Sequence, residues 1–426
     1  MSGANFATAA AVGRWAGADE LGLYALAFSL LILLHTVHES LILTPYAVRA
    51  PRAKDRDAER GSALAQSLVF MAASASVFGV IGSACALFGA SGTASEVMMS
   101  GVTMPGVTMP AVTLPKVMLA VAAAAPFTLL REFARRVAYA DLRVGAAASV
   151  DAAAACLQLL AIAVLAVSGG LTAANAVLAA AFGCGVSGVA WLACSRRRFS
   201  FTRVGTRARS GLSLGGWIAA SRLTSVACTQ IVPWMLAWRL GLTVAGGFAA
   251  ASTLVAATNP LLMGIGAVVL PHASRDYAEG GARRLSRLVR RVSVWMALVS
   301  ALVIGLMTVA AGDLLQLIYG PGFEPFATTA IVLSVALLLS TAGFGAETAL
   351  RVLERPRLDF IAGAVSLATT CVITLALIGS HGQLAGAAAL AAGAGLASCL
   401  RIAAFRSVRT QADHKRTADT ATEPPR

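Results

Sequence analysis

The sequence predicts an all-α polytopic membrane protein of about twelve transmembrane helices, arranged as two six-helix lobes related by a parallel repeat. Three observations carry this. Of 426 residues, 58% are hydrophobic and only 13% charged, with a mean hydropathy of +0.76; a soluble domain carries roughly a quarter charged residues. Apolar windows of about 20 residues recur along the whole chain, at 1–16, 21–44, 62–89, 116–133, 145–168, 172–194, 211–234, 243–269, 292–312, 326–346, 358–379 and 384–405. Finally, the basic residues alternate. All of the 34 lysines and arginines except Arg14, Lys116, Arg222 and Arg239 fall at 49–60, 131–143, 196–209, 275–291, 351–357 or in the C-terminal end from Arg401. These are the even-numbered connections and the tail, so the positive-inside rule places both termini in the cytoplasm. The net charge of +14 therefore reports topology and contact with anionic lipid headgroups, and does not indicate nucleic acid.

The first window is short. Its 16 residues span roughly 24 Å, less than the ~30 Å hydrocarbon core, and the chain reads as beginning part-way through this helix. It lacks the basic n-region of a cleavable signal, and carries Arg14 near its external end, where the side chain could line a cavity or snorkel. The second window holds "LLHTVHESLILTPY" (Leu33–Tyr46), in which His35, His38 and Glu39 interrupt an apolar run. At 100° per residue Phe28, Leu31, His35, His38 and Ile42 share a face, with Glu39 nearer its edge. Ionisable groups in a spanning helix face the protein interior or water by default; the alternative is a Glu39 carboxylate snorkelling to the nearby cytoplasmic interface.

The third window is followed by the five-residue tandem repeat "VTMPGVTMPAVTLP" (Val102–Pro115), whose regular prolines forbid helix. On the fifth helix Asp151 and Gln158, two turns apart, could line the same cavity or tie helices together. Arg222 sits about eleven residues into the seventh helix, roughly 16 Å deep, on a stripe of Gly211, Gly215, Ile218, Ser225 and Thr229. Facing lipid there would cost at least ~2.5–3.5 kcal/mol. It either meets a ligand or pairs with an internal carboxylate such as Asp151 or Glu347. Helices eight to twelve are apolar between basic connections, and the polar stretch 410–426 reads as a disordered cytoplasmic tail. The seven cysteines all lie in apolar segments without a CxxC pair, which is the pattern of buried small hydrophobes rather than disulfides or a metal site.

The two lobes, 1–198 and 199–409, show in internal offsets. "GADELGLYALA" (Gly17–Ala27) matches "GLTVAGGFAAA" (Gly241–Ala251) at an offset of 224, with Gly22 on Gly246. Pro45 of "ILTPYA" matches Pro271 of "VVLPHA", each at the end of a helix before a basic loop, and "LREFAR" (Leu130–Arg135) matches "LRVLER" (Leu350–Arg355). An even helix count per half makes such repeats parallel, related by an axis along the membrane normal. With no GxxxxGK[ST] and only three lysines, the chain carries no Walker-type ATPase.

"SGANFATAAAVGRWAGADELGLYALAFSL", "LLREFARRVAYADLRVGAAASVDA", "NPLLMGIGAVVLPHAS" and "LIYGPGFEPFA" before "LRVLERPRLDF" together resemble the bacterial polysaccharide (O-antigen) flippases. These belong to the multidrug/oligosaccharidyl-lipid/polysaccharide exporter superfamily. The resemblance covers about residues 2–405 and departs at the short first helix. It implies two helical lobes around a central cleft that rocks between inward and outward openings, in the bacterial cytoplasmic membrane. It also implies polyprenyl-pyrophosphate-linked oligosaccharide as substrate, no cofactor, and other polysaccharide-assembly proteins as partners. A sugar–pyrophosphate head cannot cross hydrocarbon unaided. Arg222, Arg14, His35 and His38 would then pair the phosphates, Gln158 and hydroxyls would meet sugars, and Glu39 and Asp151 would line the same cleft. An outward-moving group of charge −2 gains about 4.6 kcal/mol from an inside-negative potential of about 100 mV. A drug/cation antiporter of the same superfamily, with Glu39 or Asp151 carrying the ion, is the first alternative. A membrane-embedded polymerase or acyltransferase is the second.

Overall fold

The computed structural model describes residues 3–50, 55–90, 113–196, 199–200, 204–353 and 355–422, and among these there is no strand. The helices are α1 (Gly3–Ala16), α2 (Ala18–His38), α3 (Thr44–Arg49), α4 (Arg56–Ala90), α5 (Thr113–Ala140), α6 (Val144–Val167) and α7 (Ala173–Ser195). They continue as α8 (Val204–Leu240), α9 (Leu242–Ala256), α10 (Asn259–Tyr319), α11 (Ala327–Ala342), α12 (Phe344–Val352), α13 (Pro356–His381) and α14 (Gln383–Thr422). Among the described residues each of the twelve apolar windows falls on helix, the eighth with a break at 257–258. Nine helical stretches among the described residues are long and apolar enough to cross a membrane; the windows 1–16, 211–234 and 243–269 fall on α1, α8 and α9 with the first turns of α10. Most of the Val102–Pro115 repeat lies outside the described residues.

Several boundaries differ from the sequence reading, each for a local reason. The eighth window is not one helix: α9 ends at Ala256 and α10 starts afresh at Asn259, with Pro260 in its first turn, where a missing N–H costs nothing. The basic stretch 275–291 is helical rather than a loop, being rich in Arg, Leu and Ala. The direction change sits at Gly281, whose φ of 63° and ψ of −159° suit glycine alone. Neither Pro45 nor Pro271 ends its helix: the chain continues to Arg49 and, past Pro271, to Gly281. The helical backbone of α14 also runs on through residues that composition assigns to a polar tail.

By their internal contacts the residues form two compact units, Ser2–Ala250 and Ala251–Arg426. In the first, α5 is the central element: 72% of its apolar window is buried, against 17% for α4 and 22% for α6. Its Ala124, Ala125, Leu129, Phe133 and Ala134 are fully buried, and Phe133 meets Trp191 and Phe199 in an aromatic cluster. The outer helices α4 and α6 instead expose Val69, Val80, Leu87, Leu160 and Val167, apolar faces suited to lipid. In the second unit Leu285, Ala346, Ala349, Leu350 and Phe405 form one core. Beside it, Arg351 pairs with Glu347, and Arg401 pairs with Asp359 at 2.8 Å and Glu347 at 3.5 Å.

The repeat is visible in backbone geometry. Gly17 and Gly241, the residues before α2 and α9, have φ of 91° and 92°. Within the first unit these two helices cross at Gly22 and Gly246. A methyl on Gly22 would strike the Leu242 carbonyl, and one on Gly246 would strike the Ala18 carbonyl. Asp19 accepts a hydrogen bond from Thr243. Ala18/Leu242, Asp19/Thr243 and Gly22/Gly246 each stand 224 apart, so the contact is unchanged when the two helices are exchanged. Such self-complementarity is what a two-fold relation produces, and small residues are what let helix backbones approach this closely in a membrane.

Candidate functional site

The site is built on a defect in the second helix. Pro45 has no N–H to return to the Leu41 carbonyl, and its ring crowds that carbonyl. The ladder just upstream widens by one residue: the Thr44 N–H bonds to the Glu39 carbonyl five positions back, and Glu39–Leu43 is a π-turn. Turns of this kind recur at functional sites. Glu39 opens it, and its carboxylate is taken up by α5 and α8. Arg136 donates to Glu39 Oε1, and Arg222 Nη1 donates to the same oxygen at 2.8 Å.

From Arg136 the chain of charges runs on along α5. Arg136 Nε reaches Glu132 Oε1 at 3.1 Å. Arg135 Nη2 donates to both oxygens of Glu132 at 2.7 Å and stands 3.9 Å from Asp151 on α6. Arg131 completes it with Nε and Nη2 at 3.0 and 2.9 Å from Asp151 Oδ1. Glu132 is the buried centre, tolerable because two guanidiniums hold it. Four arginines (131, 135, 136 and 222) thus meet three carboxylates (Glu39, Glu132 and Asp151), and one positive charge is left over. Each of the three carboxylates meets two arginines, so the chain of charges ends in Arg131 on one side and Arg222 on the other. Exposure separates the two ends, the Arg131 side chain being 20% exposed. The Arg222 side chain is 48% exposed, against 15% for Glu39. The surplus sits at the open end.

The expected site residues separate into three groups. Glu39, Arg222 and Asp151 belong to this one network. Arg222 pairs with Glu39 rather than with Asp151 or Glu347, the latter being held by Arg351 and Arg401. The histidines lie beside the network. His38 is fully buried, its Nε2 2.9 Å from Ser67 Oγ and its ring stacked on Phe70, so it packs α2 against α4. His35 lies within electrostatic range of Glu132 and Arg131, and its buried Nε2 has no hydrogen-bond partner among the described residues. Gln158 stands apart: its Nε2 donates to Thr8 Oγ1 at 2.9 Å and Asn5 Oδ1 at 3.3 Å, tying α6 to α1. Arg14 is exposed on the last turn of α1. Among the described residues no group of His, Cys, Asp and Glu is arranged to hold a metal ion.

The sequence pattern does not single out Arg131, Glu132, Arg135 and Arg136 as site residues, because it places the arginines in a cytoplasmic connection. The signal was present in "LREFARR": Glu132 lies three and four residues before Arg135 and Arg136, the spacing of neighbours on one helix face. No proline or glycine interrupts the stretch before Ala140.

No protein-family model and no curated protein matches the chain, but solved structures do. An inward-facing multidrug resistance MATE family transporter of the MOP superfamily matches with a TM-score of 0.80 at 13% identity, over 96% of this chain and 94% of its own. The lipid II flippase MurJ in an inward closed conformation matches with a TM-score of 0.65 at 11% identity, over 95% and 85%. The fold is that of the MOP superfamily transporters. A third structure of this fold, a transporter from Pyrococcus furiosus described as having a binding pocket of reversed polarity, matches with a TM-score of 0.65 at 13% identity, over 95% and 92%. These neighbours with the MOP fold are transporters rather than enzymes.

Proposed function

We propose that this MOP-fold transporter moves a polyprenyl-pyrophosphate-linked oligosaccharide outward across the bacterial cytoplasmic membrane, with both termini cytoplasmic and the membrane potential as the bias. The observation that supports it is the surplus guanidinium. A carrier of cations needs an unneutralised carboxylate, whereas the most exposed side chain of this network is Arg222, and Glu39 already serves two arginines. A pyrophosphate presents several oxygens to planar guanidinium forks, and its prenyl tail stays in lipid. One structural neighbour is itself a lipid II flippase. A second reading, drug export coupled to ion entry through Glu39, draws on the TM-score of 0.80 to a multidrug transporter.

The two readings part in one assay. Purified protein is reconstituted into vesicles containing a fluorescent prenyl-pyrophosphate oligosaccharide, and label reaching the opposite leaflet is quantified under an imposed potential. Flippase activity should be lost in Arg222→Ala and partly retained in Arg222→Lys, a point charge replacing a fork. Vesicles that translocate a cationic dye against a proton or Na⁺ gradient, and leave the lipid-linked sugar in place, would establish the antiporter instead.

A further inference from the structure

We propose that Arg222 and Arg136 form a phosphate site whose resident counter-ion is Glu39, and that an incoming phosphate or pyrophosphate group displaces Glu39 from Arg222 while Arg136 retains it. The inference rests on the transport reading above and specifies the chemistry of its site. Both guanidiniums converge on the same atom, Glu39 Oε1, so a single carboxylate oxygen stands where two cations could hold a larger anion. Their commitments differ. Arg136 is also fixed to Glu132, but among the described residues Arg222 has no ion pair besides Glu39. Exchange therefore breaks one contact, at the open end of the network, and leaves the buried Glu132 and Asp151 with their arginines.

The carboxylate is also placed where it can leave. Glu39 opens the π-turn at Pro45: its N–H still bonds back to the His35 carbonyl, while its own carbonyl is taken by the Thr44 N–H five positions on, so the ladder widens directly beyond it. After exchange Glu39 still has Arg136, and no charge is stranded. Arg222 gains a bidentate oxyanion partner of higher charge in place of a single-oxygen contact. In the resting protein Glu39 keeps the half-exposed Arg222 occupied. It acts as an internal competitor that sets how tightly an anion must bind in order to enter.

The test is isothermal titration of the full-length protein in detergent with inorganic pyrophosphate and with a long-chain prenyl pyrophosphate. Wild type should bind both, and Glu39→Gln should bind them about fivefold more tightly, equivalent to ~1 kcal/mol for a partly exposed pair. Glu39→Asp, one methylene shorter and unable to span both arginines, should shift affinity in the same direction and guards against misfolding of the first variant. Arg222→Ala should weaken binding at least tenfold. Unchanged or weaker binding by monodisperse Glu39→Gln and Glu39→Asp would overturn the exchange and make Glu39 a strut that positions Arg222. So would binding of neither probe, or competition by phosphatidylglycerol as strong as by prenyl pyrophosphate. Binding of the prenyl probe alone supports the exchange and places the phosphate on a lipid. Binding of inorganic pyrophosphate alone supports the exchange while refuting lipid-linked transport. Exchange that persists in vesicles without translocation likewise counts against the transport reading only.

Discussion

The Gly22–Gly246 crossing makes a quantitative demand on the fold. In Gly22→Ala the new methyl would meet the Leu242 carbonyl and lie 3.1 Å from the Gly246 nitrogen; in Gly246→Ala it would meet the Ala18 carbonyl and lie 3.0 Å from the Gly22 nitrogen. Backbone cannot step aside as a side-chain tip can, so α2 and α9 must separate, at a cost of about 1–3 kcal/mol. Alanine also gains about 0.8–1.0 kcal/mol of helix propensity over glycine. Gly79→Ala on α4 supplies that gain alone, because nothing lies within 4 Å of its added methyl. The difference between Gly22→Ala and Gly79→Ala therefore isolates the clash. Measured by unfolding in mixed detergent micelles, Gly22→Ala and Gly246→Ala should each fall about 1–3 kcal/mol below Gly79→Ala. The double variant should cost clearly less than the sum, because helices already parted for one methyl admit the second. Singles that match Gly79→Ala, or a double additive to within about 0.3–0.5 kcal/mol, would refute the self-complementary contact.

Two further outcomes probe the polar ties. Asp151→Asn removes the one carboxylate bonded to Arg131 among the described residues. With side chains a fifth and a third exposed, the loss should be about 1–3 kcal/mol, below the 3–5 of a fully buried pair. Arg131→Met with Asp151→Leu should recover most of it, and failure to recover in the same unfolding assay would show that the pair does more than neutralise itself. Gln158→Leu severs α6 from Thr8 and Asn5 and should cost about 1–2 kcal/mol. Limited proteolysis should then release the α1 segment at protease concentrations that wild type resists; an unchanged digestion pattern would remove the tie.

The sequence was most informative where periodicity and composition act over many residues. Twenty-residue apolar runs have one outcome in a bilayer, since each backbone group must be bonded within its own segment, and among the described residues the windows lie on helix, the eighth divided between α9 and α10. The repeat was legible because glycine at a positive φ and glycine at a crossing are irreplaceable by other residues, which left Gly17, Gly22, Gly241 and Gly246 in register. Helix ends were less legible. Charge suggests where a span stops, yet Arg131, Arg135 and Arg136 continue α5, because arginine is a good helix former and Glu132 neutralises it in place. Among site residues, the ionisable character of Glu39 and Arg222 was evident, but their partnership was not. Residues 183 apart meet only through tertiary packing, and a π-turn shifts the phase that a uniform 100° wheel assumes. The burial of His38 against Ser67 and Phe70 was hidden for the same reason.

The arginines of α5 serve two purposes that a charge count merges. As members of a basic cluster near a helix end they orient the segment during insertion, an effect that depends on their number and side of the membrane. Once folded, the same guanidiniums hold Glu132 and Asp151 and leave none of their own carboxylates for Arg222. Glu39 must then serve both α5 and α8, and one carboxylate cannot neutralise two guanidiniums. Had α5 carried one arginine fewer, or α6 one more acid, the network would close on itself and Arg222 would have a private counter-ion. The imbalance is thus set on α5, by arginines 86 to 91 residues before the one at which it is exposed. Replacing Arg136 by glutamine tests this directly. Glu39 would then belong to Arg222 alone, the surplus would vanish, and pyrophosphate affinity should fall although Arg222 itself is untouched. Affinity equal to wild type would mean that Arg222 attracts anions by its own exposure, irrespective of the charges behind it.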